Sequence, residues 1–571
     1  MSFRYILRYY IDPGFHEDER ISELLHICQE GKIAEVMLFQ NPEELFQGYP
    51  DDSEVDRWFA MAHKVKDALS GIGVAMSVNP WCTTVHNSRG RYFGEKQKSF
   101  QPMVGETGVA SLITSCPLDS QWQKQLGDFW VRIATELSPC AIWIEDDWRL
   151  HNHDGDELGY AGCFCPLHLK RFAEMTGEKV DRETLLAKIL APGKPHPWRK
   201  VWLDICRDTL LEPARNICQR VREANPAVRM GLMTSGTDDH SVEGRDWNLL
   251  KQAISPDLPL LLRPHLSPYA ESNAMFVPPT TARQSIKTMD GELEIYPELE
   301  NSPRCGIYSK SGTYSIYECL EAAMFGSRGI TINHFDMMGN GLALDDTFPG
   351  KLRSAKASLD AIAALNINDS FAQGVKILFR ADVAGYVPSN NQNSMSGLVN
   401  MSALWSNVFY ILGVSNVFTQ KLTPEGTYAV SDRTVASLSD DEIKLLLSGE
   451  VILDANSVEL LISRGFGELI GVRSANWKKQ TDTGYAYEEI VWDGVPDWQT
   501  GKPRMTASRC SSRILFMDLA AEAVPVTQIM KYNRTSLCPG SFFMKNHLGG
   551  RIYAIAYPIG GMQFFPGFSL L

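Results

Sequence analysis

Residues 140–172 read CAIWIEDDWRLHNHDGDELGYAGCFCPLHLKRF. Four apolar residues, Ala141 to Ile144, run straight into three acids, Glu145, Asp146 and Asp147. Sixteen residues beyond Asp147 stands Cys163, followed by Cys165 and His168. An apolar run this short and this uniform has the length of a strand buried on both faces. Carboxylates at the mouth of such a strand point to acid–base chemistry. Cys and His at this spacing point to a metal.

The same pattern recurs outward from this stretch. Short apolar runs occur at Phe3–Tyr10, Ile33–Phe39, Ile72–Val78, Ala141–Asp146, Val228–Thr234, Leu258–Arg263, Leu293–Glu298 and Gly329–His334. Amphipathic stretches such as His16–Glu30, Ser53–Leu69, Ser120–Leu137 and Trp198–Ala224 separate them. Apolar strands alternating with helices make a parallel sheet covered on both faces, and eight such units fit a (β/α)8 TIM barrel over 1–366. A doubly wound open sheet is the alternative. After a boundary near 366–374, Asp440–Val472 reads helix, strand, helix, strand, so a smaller α/β domain is expected over 367–487. Residues 488–571 carry Gly/Pro turns and short strands that either complete that domain or form a small β domain.

In a barrel the C-terminal strand ends converge on one rim, where the chemistry is placed. There the sequence puts Asn79 and His86 after the third strand, the acid triplet with Trp148 after the fourth, and Arg263 with His265 after the sixth. Glu298 and Glu300 follow the seventh strand, and His334 and Asp336 the eighth. Hydrolysis of a glycosidic bond needs one acid to protonate the leaving oxygen and a second carboxylate to attack carbon or activate water, about 5–5.5 Å apart in retaining enzymes. Strands four and seven offer that pair. Trp81, Trp143, Trp148, Tyr269 and Tyr308 could stack on sugar faces. So many like charges need cationic partners, and Arg149, Arg263 and Lys310 are the candidates. Cys163, Cys165 and His168 supply three ligands for a structural zinc, with Cys116 as the fourth.

The bulk numbers narrow the class. A chain of 571 residues exceeds one hydrophobic core. Its net charge of −13 disfavours nucleic acid and anionic membranes as partners. No apolar run reaches the roughly 18 residues of a membrane span, and the first residues lack the pattern of an export signal. Twelve scattered cysteines then read as reduced thiols in the cytoplasm.

These motifs resemble the glycoside hydrolase family 42 β-galactosidases, as a divergent member or a sibling family. In that family strand four ends in Asp-Asn-Glu, whose Glu is the acid/base; Glu145-Asp146-Asp147 stands in its place, which puts the acid/base on Asp147. A Cys-aromatic-Cys-Pro-x-Cys run follows there, matched by Cys163-Phe164-Cys165-Pro166-Leu167-His168. In some members those thiolates bind zinc with an earlier cysteine, matched by Cys116. The nucleophile lies in Glu-x-x-Pro, matched by Glu300-Asn301-Ser302-Pro303. The resemblance implies a glutamine-amidotransferase-like second domain and a homo-oligomer, a trimer or a dimer. Two departures stand out. Asp147 is one methylene shorter than Glu, and Asn333-His334-Phe335-Asp336 differs from the family's Gln-Trp pattern. The expected function is a retaining hydrolase of β-galactosides or related β-oligosaccharides, with Asp147 as acid/base and Glu300 as nucleophile. The alternatives are an inverting glycosidase, another β-glycosidase specificity (glucoside, arabinoside), or a non-catalytic sugar-binding protein.

Overall fold

Eight parallel strands close on themselves in the first part of the chain. In the computed structural model the described residues are 2–40, 45, 49–80, 88, 90–152, 157–273, 279–301, 310–343, 347–368, 371–494 and 504–559. The barrel strands are β1 (Arg4–Tyr9), β2 (Glu35–Gln40), β3 (Ala75–Pro80), β4 (Ala141–Ile144), β5 (Arg229–Thr234), β6 (Leu260–Leu266), β7 and β8 (Gly329–Asn333). Strand β7 comes in two pieces, Leu293–Ile295 and Glu298–Glu300, interrupted at Tyr296-Pro297. Both pieces pair with β6 and the second also pairs with β8, which closes the barrel. The open-sheet alternative is thereby set aside.

Ile6, Met37, Ala141, Trp143, Met233, Leu261 and Tyr296 fill the interior. Trp143 is the bulkiest of them, and room for it comes from the opposite register position on β5. A Cβ at Gly231 would run into the Trp143 indole. Because side chains alternate along a strand, Ala141 and Trp143 facing inward puts Glu145 inward as well. Tyr296 does the same for Glu298 and Glu300.

The helices that matter for the site are α1 (Pro166–Thr176), α2 (Pro197–Ala224) and α3 (Gly312–Met324). Helix α1 opens with Cys165 as N-cap and Pro166 at its first position, where a missing N–H costs nothing.

The chain divides into two compact units. The first holds Met1–Phe371 together with Ser389–Val399, and the second holds Ala372–Pro388 and Asn400–Leu571. The single boundary expected near 366 is therefore three crossings, since residues 389–399 return to the barrel unit. In the second unit Asp440–Leu447, Glu450–Leu453, Ala455–Ser463 and Val472–Lys479 form helix, strand, helix, strand. One nine-stranded sheet runs through this unit. Its parallel part includes Val375–Leu378, Thr427–Val430 and Glu450–Leu453, and the last of these pairs in parallel with Arg551–Ile555. Ser536–Lys545, Val524–Lys531 and Tyr485–Ile490 continue it antiparallel. The strands after 488 thus share the sheet of those before it. The terminal apolar run Phe564–Leu571 lies outside the described residues.

Candidate active site

Four charged side chains alternate in sign across the floor of the barrel mouth. Arg8 of β1 holds Glu145 at 3.1 Å, and Arg263 of β6 holds the other Glu145 oxygen at 3.3 Å. Arg263 also pairs with Glu298 of β7. The chain Arg8–Glu145–Arg263–Glu298 is buried and internally neutral, which is what buried charges require. Environment drives its two acids apart. Burial raises the Glu145 carboxyl, with Asp146 and Asp147 adding to the push. Burial also acts to raise Glu298, but Arg263, His265 and Arg8 outweigh it and hold that carboxylate low. Tyr269 donates to Glu298 at 3.1 Å, and the edge of its ring meets His265 with centroids 4.5 Å apart. Burial chiefly lowers His265, keeping it neutral.

Above this floor stand Asp146 and Glu300. The Asp146 side chain is 22% exposed, against 6% for Glu145 and 0% for Asp147. Its charge acts on His265, Tyr269 and Glu298 across the mouth. Glu300 accepts from the Asn333 amide, its register partner on β8. The next residue, Asn301, is held by Ser315 of α3 and by His334, whose ring lies flat on Phe348 at 3.7 Å.

Several sequence expectations change here. Asp147 does not face the mouth: its carboxylate is enclosed and pairs with Arg149 at 2.7 Å. A turn causes this, with Trp148 N–H bonded to the Glu145 carbonyl at 3.1 Å, so alternation stops at Glu145. Trp148 is likewise no sugar platform. It packs with Trp122 and Trp130 and donates its indole N–H to the Leu210 carbonyl. Asp336 caps its own turn, accepting from Met338 N–H and the Asn340 amide. Asn79 is fully buried and donates to the Trp143 carbonyl, bracing β4 rather than reaching substrate. Lys310 pairs with Glu318 on α3 and not with the acid clusters. His86, Trp81 and Tyr308 lie outside the described residues. Arg263, His265 and Glu298 sit at the mouth, as does Arg8, which sequence reasoning missed. Its signal was an arginine at an inward position near the C-terminal end of the strand RYILRYY.

Behind the acid triplet lies a second polar network that sequence reasoning also missed. Arg149 bridges Asp147 and, at 3.3 Å, Asp146, and donates to Ser235 Oγ at 3.0 Å. Burial lowers the His240 imidazole well below its usual range, so the ring is neutral. Its Nδ1–H donates to Glu243 at 2.8 Å, and its Nε2 therefore accepts from Ser235 at 3.1 Å. His151, His240 and Glu243 lie close enough together to suggest an ion site. Both Glu243 oxygens are already taken, one by His240 and Arg245, the other by His151 and Leu150 N–H. With two guanidinium groups beside it, this cluster is framework.

Cys116, Cys163, Cys165 and His168 do converge. All four are buried, and their ligand atoms lie within 4.8 Å of one another. His168 Nδ1 is 3.4 Å from the Cys116 sulfur and 3.4 Å from the Cys165 sulfur. Burial raises the Cys116 and Cys163 thiols, while their hydrogen bonds to Cys165 hold it low. Three sulfurs and an imidazole so placed fit a tetrahedral structural zinc.

No model of a known family matches this chain, and no curated protein matches its sequence. Solved structures match over nearly its whole length. The β-galactosidase from Rahnella sp. R3 superposes with a TM-score of 0.60 at 12% identity, covering 97% of this chain and 86% of that one. Gan42B, a GH42 β-galactosidase from G. stearothermophilus, gives 0.62 at 10% identity, covering 97% and 85%. The exo-β-1,4-mannosidase Op5Man5 from Opitutaceae bacterium strain TAV5 gives 0.52 at 13%, covering 98% and 92%. The fold is shared with these glycosidases: a TIM barrel followed by further sheet-containing regions.

Proposed function

We propose that the chain is a retaining β-glycoside hydrolase acting on β-galactosides or related β-linked oligosaccharides. The observation that carries this reading is the pair of acids, Asp146 just after β4 and Glu300 at the end of β7, whose charges both act on Tyr269 over a floor whose own charges cancel. Glu300 attacks the anomeric carbon, and Asp146 protonates the departing glycosidic oxygen. Asp146 then takes a proton from the water that releases the sugar. Asp146 replaces Asp147 as proton donor because an enclosed carboxylate locked on Arg149 cannot reach a substrate oxygen. The Asn333 amide orients the attacking Glu300 oxygen. In the floor Arg8 pairs with Glu145, and Arg263 with Glu145 and Glu298.

The test uses aryl β-glycosides of galactose, glucose, mannose and arabinose. Glu300→Ala is expected to lose nearly all turnover and to regain part of it with azide, giving a glycosyl azide. Unchanged turnover would remove Glu300 from the mechanism. The anomer first formed, read by NMR, separates retention from inversion.

We also propose a structural zinc held by Cys116, Cys163, Cys165 and His168. Three thiolates leave a metal little Lewis acidity, so its contribution there is a rigid loop after β4. A cytoplasmic homo-oligomer, trimer or dimer, completes the reading. Nine cysteines among the described residues are free thiols, which suits a reducing compartment. No helix among the described residues is long and apolar enough to cross a membrane.

A further inference from the structure

His168 stands where the family motif carries a third cysteine. An imidazole differs from a thiolate in one respect that matters here: it has two nitrogens, and only the one without a proton can bind a metal. The structure fixes which one that is. Thr209, on α2, lies 3.0 Å from His168 Nε2. The Thr209 hydroxyl has a single proton, and the carbonyl of Ile205 accepts it at 2.7 Å. A carbonyl can only accept, so Thr209 Oγ1 in turn accepts from Nε2–H. The Nδ1 lone pair is then free and points at the sulfurs, 3.4 Å from both Cys116 and Cys165. A tetrahedral zinc with sulfur at 2.3 Å and nitrogen near 2.05 Å places those ligand atoms about 3.6 Å apart. His168 and Thr209 have no solvent exposure, so bulk water does not reach this hydrogen bond.

We propose that Thr209 is the positioning residue that makes His168 an Nδ1 ligand, so that metal affinity at this site depends on a hydroxyl from a different helix. The proposal rests on the zinc reading above and not on the glycosidase reading. Without the hydroxyl, Nε2–H is buried with no acceptor. The proton then favours Nδ1, and the lone pair turns out of the site. The long helix α2 is thereby tied to the loop after β4 through one imidazole. A cysteine at 168 would need no such partner, because a thiolate presents one atom whatever lies behind it.

The experiment measures zinc content by elemental mass spectrometry and zinc affinity by competition with a chromophoric chelator. Cobalt substitution reads the ligand field in the full-length protein. Thr209→Val keeps the shape and removes the hydroxyl; it is expected to weaken zinc binding about 10- to 100-fold. Thr209→Ser keeps the hydroxyl and is expected to stay within about threefold of the parent. In a His168→Cys background the Thr209→Val change is expected to alter affinity by less than about threefold, since the two positions no longer couple. An equal loss in that background would overturn the proposal in favour of simple packing. An unchanged affinity of Thr209→Val would overturn it directly. A parent protein that binds neither Zn2+ nor Co2+ would overturn the zinc reading and this inference with it, whatever the glycosidase assays give.

Discussion

Two adjacent aspartates illustrate how much one residue step changes. Asp146 is partly open to the mouth, while Asp147 is enclosed on Arg149. Asp146→Asn is therefore expected to cut kcat about 10²- to 10⁴-fold with little change in thermal stability. Asp147→Asn should instead destabilise the fold, because it removes the enclosed partner of Arg149 and leaves that buried guanidinium only the more open Asp146, 3.3 Å away. Steady-state kinetics and calorimetry on both variants check this, and the reverse pattern would return the acid role to Asp147. The sequence makes the triplet legible as a site but not the choice within it. Period-two alternation holds through Glu145, and the turn closing on the Glu145 carbonyl then breaks it. Nothing in a run of three acids announces that turn. Arg8 is legible in principle, as a charge at an inward strand position, whereas Asn333 becomes meaningful only once β7 and β8 are in register.

At the scale of single elements, burial governs which acids titrate unusually. Asp454 caps the helix Ala455–Ser463, accepting from Ser457 N–H at 3.0 Å and from Asp432 N–H at 3.1 Å. Burial still raises its carboxyl to about 7. In the unfolded chain it ionises near pH 4, so the folded second unit holds a proton there that the unfolded chain has released. Stability from this group is full below about pH 4 and is lost as pH rises towards 7, on the order of 4 kcal/mol. Asp454→Asn keeps an acceptor for the cap and should flatten that slope; denaturant midpoints between pH 4 and 8 measure it. The barrel strands themselves are readable because each is apolar throughout and bounded by polar residues. The break in β7 at Pro297 is less so, since proline removes a ladder hydrogen bond without disturbing the apolar pattern.

Over the whole molecule, the division into two units follows sheet continuity more than composition. Glu450–Leu453 pairs directly with Arg551–Ile555, nearly a hundred residues later, in the middle of the nine-stranded sheet. A chain ending at residue 484 would lose that sheet's central partner and expose an unpaired apolar edge. It is expected to aggregate or lose the second unit's unfolding transition rather than shed a separable domain. Differential scanning calorimetry with light scattering checks this. The Gly/Pro turns after 488 left both outcomes open in the sequence, because pairing over such a distance leaves no local signal. A last consequence comes from the segment that visits the barrel, residues 389–399, and from the antiparallel pair Pro102–Val104 and Ala110–Ser115 that follows β3. Between those two strands, the Glu106 carboxylate receives Tyr160 N–H, but also Ser394 Oγ–H and Met395 N–H, each of these two at 2.7 Å. Those last two donors sit on the segment that leaves the second unit, visits the barrel and goes back. The polypeptide is therefore stitched, not strung. Neither half can be inherited, clipped or transplanted at a single seam without stranding a buried carboxylate. A fragment of residues 1–371 should accordingly melt below the barrel transition of the intact chain, by a margin that Glu106→Gln narrows.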